Sequence, residues 1–184
     1  GALWLRKGTR IMPLVDGGIQ EAGRRAGTEN VPGIAGMGKA AQLAAESLDR
    51  RRDHLILVRD ELIRRLTTDI DEVVLTGHPE KRLPDHVSIC VEGVEGEAML
   101  LLMAQEGIFG SSGSACTSRA LKASHVLLAL GLDTALAQGS IVYSLGQDNS
   151  LDEVSYVMDV MTRVIQRLRE MSPVYRSKEQ RDKN

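Results

Sequence analysis

Residues 83–108 read LPDHVSICVEGVEGEAMLLLMAQEGI, and two secondary-structure periods stand back to back in them. From His86 to Glu92 the apolar residues alternate, with Val87, Ile89 and Val91 pointing one way and Ser88 and Cys90 the other, as in a half-buried strand. From Glu97 to Gln105 the pattern is helical. Its apolar run Ala98–Ala104 reads as a buried helix core, and Gly107 is well suited to the C′ position that stops it.

Upstream, Glu72–Thr76 alternates in the same way, and a Gly-His-Pro turn separates the two strands. Before that lies a long helical pattern, Gly33–Leu66, with Leu43, Ala44, Leu48, Leu55, Val58, Leu62 and Leu66 spaced by charged residues. At 1.5 Å per residue it reaches roughly 50 Å, and a helix of that length usually bridges two packed units. The preceding stretch 17–30, GGIQEAGRRAGTEN, is too glycine-rich for a helix or a packed strand, while Ala2–Arg6 and Arg10–Val15 read as short strands around a Lys7-Gly8-Thr9 turn. Downstream come a small-residue loop, GSSGSACTS (110–118), a short helix Ser124–Leu130 and a strand Ser140–Leu145. Ser150 and Glu153 form a capping box that opens the last helix. Its stripe of Val154, Val157, Met158, Met161, Val164, Ile165 and Leu168 has the spacing of a core-facing surface. Beyond Pro173, the tail VYRSKEQRDKN has too little apolar surface to order itself. The expectation is an α/β layout in two parts: an N-terminal piece resembling the end of something larger, and a small α+β domain from about residue 68, with the long helix as the break.

With 184 residues, 42% hydrophobic and 26% charged, the chain is globular in composition. Its 23 basic residues nearly cancel 25 acidic ones, and aromatics make up 3%. A nucleic-acid partner is therefore not expected, because such sites need a cationic face and stacking rings. No apolar run approaches the roughly 20 residues of a membrane span. The start, GALWLRKG, has no initiating Met and no charged leader before an apolar stretch, which reads as an internal start without a signal peptide. Two cysteines give no disulfide framework, so free thiols in a reducing cytoplasm are expected.

Cys116 carries the sharpest chemical signal. It lies among Ser111, Ser112, Gly113, Ser114, Ala115, Thr117 and Ser118, a composition that predicts a mobile, reachable segment. A thiol of ordinary pKa is only about 3% ionised at neutral pH, so its reactivity depends on a nearby cation, a helix N-terminus or an activating substrate; Arg119 and Lys122 are candidate neighbours. The competing reading, a small buried hydrophobe, describes most free cysteines, and the loop composition weighs against it. Cys90, alternating within a strand, reads as structural. His54, His78, His86 and His125 show no zinc-site spacing, and His125 shares a helix face with Leu128 and Leu132, which suggests packing or capping. GIAGMGKAA (33–41) lacks the strand and ribose-binding acid of a nucleotide fingerprint; its small residues suit close helix packing instead. In GRRAGTEN (23–30), Arg24, Arg25, the Thr28 hydroxyl and turn amides could together hold a phosphate or carboxylate; a solvated polar turn is the alternative.

Taken in order, these segments resemble the C-terminal half of the pyridoxal-phosphate-dependent cysteine desulfurases of the NifS/IscS type, over nearly the whole chain. GALWLRKGTR (1–10) resembles the strand pair after the family's cofactor lysine, and 17–41 its Gly-rich loop and long-helix start. Residues 83–108 resemble its small-domain strand and helix, SSGSACTS (111–118) its catalytic-cysteine loop, and SHVLLALGL (124–132) and GSIVYSLG (139–146) follow in the expected order. LREMSPVY (168–175) is similar to the family's natural end. The implied fold is the C-terminal part of a fold-type I PLP-dependent transferase: residues 1–32 ending the large cofactor domain, 33–67 a long linking helix, 68–172 a small α+β domain with an antiparallel sheet, and 173–184 a tail.

The resemblance also implies roles. Cys116 becomes the nucleophile that attacks the sulfur of L-cysteine held on the cofactor, with alanine and a Cys116 persulfide as products. Thr28 matches the threonine that reaches the cofactor phosphate of the neighbouring subunit, so a homodimer is implied, with an iron–sulfur scaffold protein as sulfur acceptor. The family's Schiff-base lysine, ring-stacking histidine and pyridine-pairing acid fall upstream of Gly1, so a separate N-terminal half is expected as a partner and the chain alone is expected not to hold the cofactor. Val142 stands where the family has its substrate-carboxylate arginine, Lys122 where it has Glu, and Ala123 where it has Pro. A non-catalytic sulfur carrier, or a partner-binding or dimerisation module, is the alternative function.

Overall fold

The protein is described by a computed structural model, which defines residues 1–112, 123–172 and 175. It divides into two compact units, Gly1–Leu48 and Asp49–Asn184.

The second unit holds the hydrophobic core. Helix α2 (Val31–Asp69) enters this unit at Asp49 and buries Leu55, Val58, Leu62 and Leu66, one stripe at helical spacing. Strand β1 (Val73–Leu75) follows, then β2 (His86–Val91), α3 (Gly96–Gln105), α4 (His125–Ala129), α5 (Thr134–Gln138), β3 (Ser140–Ser144) and α6 (Leu151–Met171). The sheet is antiparallel in the order β1-β2-β3, with Val74 opposite Cys90, Ile89 opposite Ile141 and Ser88 opposite Val142. The alternation of faces read from the sequence is observed, but β2 is buried on both faces rather than half-buried, with Ser88 and Cys90 covered as well as Val87, Ile89 and Val91. Val87, Ile89, Val91, Ile141 and Tyr143 enter one core cluster with Leu62 and Leu66 of α2, Met99 and Met103 of α3, and Met158, Met161 and Ile165 of α6. Cys90, on the opposite face, packs with Leu127 and Ala137.

Local chemistry fixes the ends of these elements. Gly107 has φ +75, and the Gly107 and Ile108 N–H groups close back onto the carbonyls of Ala104 and Met103, a C-terminal cap that a residue with a Cβ would strain. The capping box is present as read: Ser150 Oγ accepts from Glu153 N–H, and the Glu153 carboxylate accepts from Ser150 N–H at 2.9 Å. Asp133 caps α5 by accepting from Leu136 N–H at 2.9 Å, a short helix that the sequence pattern does not announce. Gly139 lies against the backbone of β2, where a Cβ would run into the Val91 carbonyl. Between β1 and β2, Arg82 donates to the carbonyls of Thr76 and His78, while buried Arg59 donates to that of Leu83.

The first unit departs from expectation. Ala2–Arg6 and Arg10–Val15 are not strands: the Thr9 N–H to Arg6 carbonyl turn and a single Ala26 N–H to Val15 carbonyl bond at 3.4 Å form no ladder, and an alternating pattern forms a strand only beside another one. The Gly-rich stretch contains one turn, α1 (Gln20–Gly23), in which Glu21 and Ala22 take φ of 51 and 55. Helix α2 begins at Val31, yet Gly36 and Gly38 meet nothing that packs on them. Ala26 is the buried hydrophobe of this unit.

Candidate functional site

Residues 111–112 and 123–124, which flank the Cys116 segment in sequence, form a defined root in the second unit. Ser111 forms an antiparallel bridge to β3 at Val142: its N–H donates to the Val142 carbonyl at 2.9 Å and its carbonyl accepts from the Val142 N–H at 2.7 Å. Ser112 is buried next to it in sequence, and on the far side Ser124 is buried while Ala123 packs against the cluster of Cys90, Leu127 and Ala137. Cys116, Arg119 and Lys122 themselves fall outside the described residues, as do 113–122 as a whole.

Val142 occupies this root. Its isopropyl group lies on the sheet face of Ser88 and Cys90, half-buried, and both of its backbone hydrogen-bonding groups are spent on Ser111. Neither the side chain nor the backbone of residue 142 thus offers a donor to a carboxylate.

Cys90 is fully buried, and desolvation pushes its pKa up to about 11. It stays a neutral thiol at physiological pH, consistent with the structural role read for it. His125 is exposed at the first position of α4; on the face read for it, Leu128 is exposed as well, while Leu132 is half-buried against the cluster of Cys90, Leu127 and Ala137. The helix is too short to bury more than Leu127.

In the first unit, Arg24 and Arg25 turn to local carbonyls, those of Glu21 and Ala26, and the Gly27 N–H goes to the Gln20 side chain. The guanidinium groups and amides of this stretch do not converge on one point. The Thr28 hydroxyl is exposed and takes no hydrogen bond among the described residues, so it remains available as a donor to an external oxygen. The bridge at Ser111 was not legible in advance: it is made by backbone alone, and no side-chain pattern signals it.

Comparison with known proteins now decides the family. The model of the aminotransferase class-V family matches residues 14–157. The chain belongs to the class-V aminotransferases. Among curated members it is similar to the cysteine desulfurase IscS of Methanosarcina thermophila, 47% identical over 174 residues, covering 95% of this chain and 43% of that protein. It is 48% identical over 175 residues to the cysteine desulfurase of Gluconacetobacter diazotrophicus, covering 95% of this chain and 44% of the relative. A solved NifS-like protein superposes with a TM-score of 0.73 at 33% identity, over 90% of this chain and 41% of that one. A NifS-like protein from Rickettsia africae gives the same TM-score at 26% identity, over 86% and 41%. This class-V chain therefore spans less than half the length of the curated relatives it matches. The fold read from the sequence is that of its family, mixed helix with a small three-stranded antiparallel sheet. Among the described residues, no helix is long and apolar enough to cross a membrane.

Proposed function

We propose that the chain is the C-terminal portion of a pyridoxal-phosphate-dependent cysteine desulfurase, in which Cys116 receives the sulfur of L-cysteine as a persulfide and hands it to iron–sulfur cluster assembly, with alanine as the other product. The reading rests on one observation above all: a chain nearly half identical to cysteine desulfurases carries the cysteine-bearing string SSGSACTS at 111–118. In this reading residues 1–32 complete the large cofactor domain, 33–67 link, 68–172 form the small domain and 173–184 the tail. The enzyme works as a cytoplasmic homodimer, and a scaffold protein accepts the sulfur.

The residues present fit part of a cofactor site. The free Thr28 hydroxyl suits a phosphate oxygen, while the aldehyde-binding lysine belongs to the N-terminal half. When bound, pyridoxal phosphate supplies the electron sink that weakens the carbon–sulfur bond. The Cys116 thiolate forms the new sulfur–sulfur bond as that carbon–sulfur bond breaks. Cys90, with its raised pKa, keeps its proton and stays out of the exchange.

Mixing the chain with an N-terminal half that carries the cofactor lysine tests this. A yellow complex that releases sulfide from L-cysteine in the presence of a reductant is expected, and a colourless, inactive mixture overturns the reading. Val142 favours a second reading, a sulfur carrier that accepts persulfide sulfur without generating it, because residue 142 cannot hold a substrate carboxylate. Mass spectrometry of Cys116 after exposure to a persulfide donor separates the two. Sulfur on Cys116 without cysteine turnover in the mixed halves supports the carrier, and no adduct at all counts against both.

A further inference from the structure

A cleft of about 260 Å³ in the second unit is lined by Arg50, Arg51 and His54 of α2 and by Gln147 and Asp148 of the loop between β3 and α6. None of these residues is among those assigned above to sulfur chemistry. Arg50 and His54 are four residues apart on the helix and Arg51 and His54 three, which places all three on one face. The helix's own carboxylates do not neutralise them. Asp49 and Asp53 both bind Arg52, at 2.9 Å each, and among the described residues Arg50 and Arg51 have no ion pair.

The opposite wall is held in place. His54 Nε2–H donates to the Asn149 carbonyl at 2.8 Å, tying the helix to the loop across 95 residues of sequence. Within the loop, the Gly146 N–H donates to Asn149 Oδ1 at 2.7 Å and Asn149 Nδ2 to the Glu153 carboxylate at 3.0 Å. A ligand entering here meets two unspent guanidinium forks and the Gln147 amide without having to order the loop first. Donor side chains on both walls suit a group with many acceptor oxygens, and the volume lies below the roughly 300–1,000 Å³ of sites for drug-sized ligands. Asp148 is the one opposing charge on the lining.

We infer that this cleft between α2 and the β3–α6 loop binds a phosphate group, free or as the head of a small monoester, with Arg50 and Arg51 as its charge partners and Asp148 as the residue that limits its affinity.

Calorimetric titration of the full chain in low-salt buffer, with inorganic phosphate in one arm and glycerol phosphate in the other, tests this. One saturable site per chain is expected. Saturation by inorganic phosphate alone assigns the free anion, and saturation by glycerol phosphate assigns the ester. The Arg50→Gln/Arg51→Gln double variant is expected to weaken binding about tenfold or more, and Asp148→Asn to strengthen it severalfold, because each changes a charge facing the ligand. Arg163→Gln, which removes a charge on α6 paired with Glu106, is expected to leave it unchanged. The inference is overturned if neither probe saturates or if the double variant binds as well as the parent. It is equally overturned if Asp148→Asn binds no more tightly, or if Arg163→Gln weakens binding as much as the double variant does. Circular dichroism of each variant verifies the fold, so lost binding is not mistaken for unfolding.

Discussion

Leu48 and Leu55 lie two turns apart on the same helix, yet Leu48 is 64% exposed and Leu55 only 7%. The same contrast runs through the two units. In the second, Leu62, Leu66, Ile89, Met99, Met158 and Met161 are sealed. In the first, Trp4, Met12, Leu14 and Ile19 are more than four-fifths exposed, and Val31, Ile34 and Leu43 continue the pattern along the start of α2. Both regions carry apolar side chains at helical or strand spacing. The difference is that, among the described residues, the second unit supplies three strands and three longer helices to face one another, and the first supplies no second layer against which to close. Hydrophobic patterning states what a segment is ready to bury, and burial follows only where the same unit provides a surface.

Urea denaturation followed by circular dichroism measures how differently the two units respond to substitution. The largest effect is expected for Leu66→Ala, which removes a fully buried side chain at the centre of the core and should cost about 2–5 kcal/mol. Next is a dependence on pH. Burial raises the Cys90 pKa from its ordinary value near 9 to about 11, so the unfolded chain loses this proton first; stability is complete below about pH 9 and falls as pH rises toward 11. Cys90→Ala is expected to flatten that part of the profile, and an unchanged slope would mean that the thiol is not sealed.

Smaller effects follow. Ser150→Ala breaks the capping box of α6 and should cost about 1 kcal/mol. Tyr143→Phe is expected to run the other way or to be neutral, within about 1 kcal/mol. The buried Tyr143 hydroxyl donates to thioethers, those of Met161 at 3.1 Å and Met103 at 3.6 Å, which repay little of its desolvation. Last is Leu14→Ala in the first unit, expected to stay within about 0.5 kcal/mol because the side chain is 98% exposed. A loss there comparable to that of Leu66→Ala would erase the distinction between the units.

Most of the second unit was legible before its structure. The alternation of Val87, Ile89 and Val91 against Ser88 and Cys90, the stop at Gly107 and the Ser150–Glu153 box are local signals, and each is met where it was read. The strands expected at 2–6 and 10–15 failed because a strand is defined by a neighbour that no short stretch encodes. The bridge of Ser111 to Val142 escaped for a related reason: it is a backbone pairing across 31 residues of sequence, with serine and valine indifferent to it. His125 is exposed rather than packed because its helix is only five residues long and buries a single leucine.

By itself, the sequence determined the secondary-structure periods, the caps and the cysteine-bearing motif, because each depends on residues within a few positions of one another. Tertiary structure alone decided which apolar stripe became core, that Val142 would spend both backbone groups on the root of the Cys116 segment, and that Arg50 and Arg51 would face the loop at Gln147 and Asp148. Those outcomes require groups far apart in the chain to meet, and local propensity carries no information about the partner they will find.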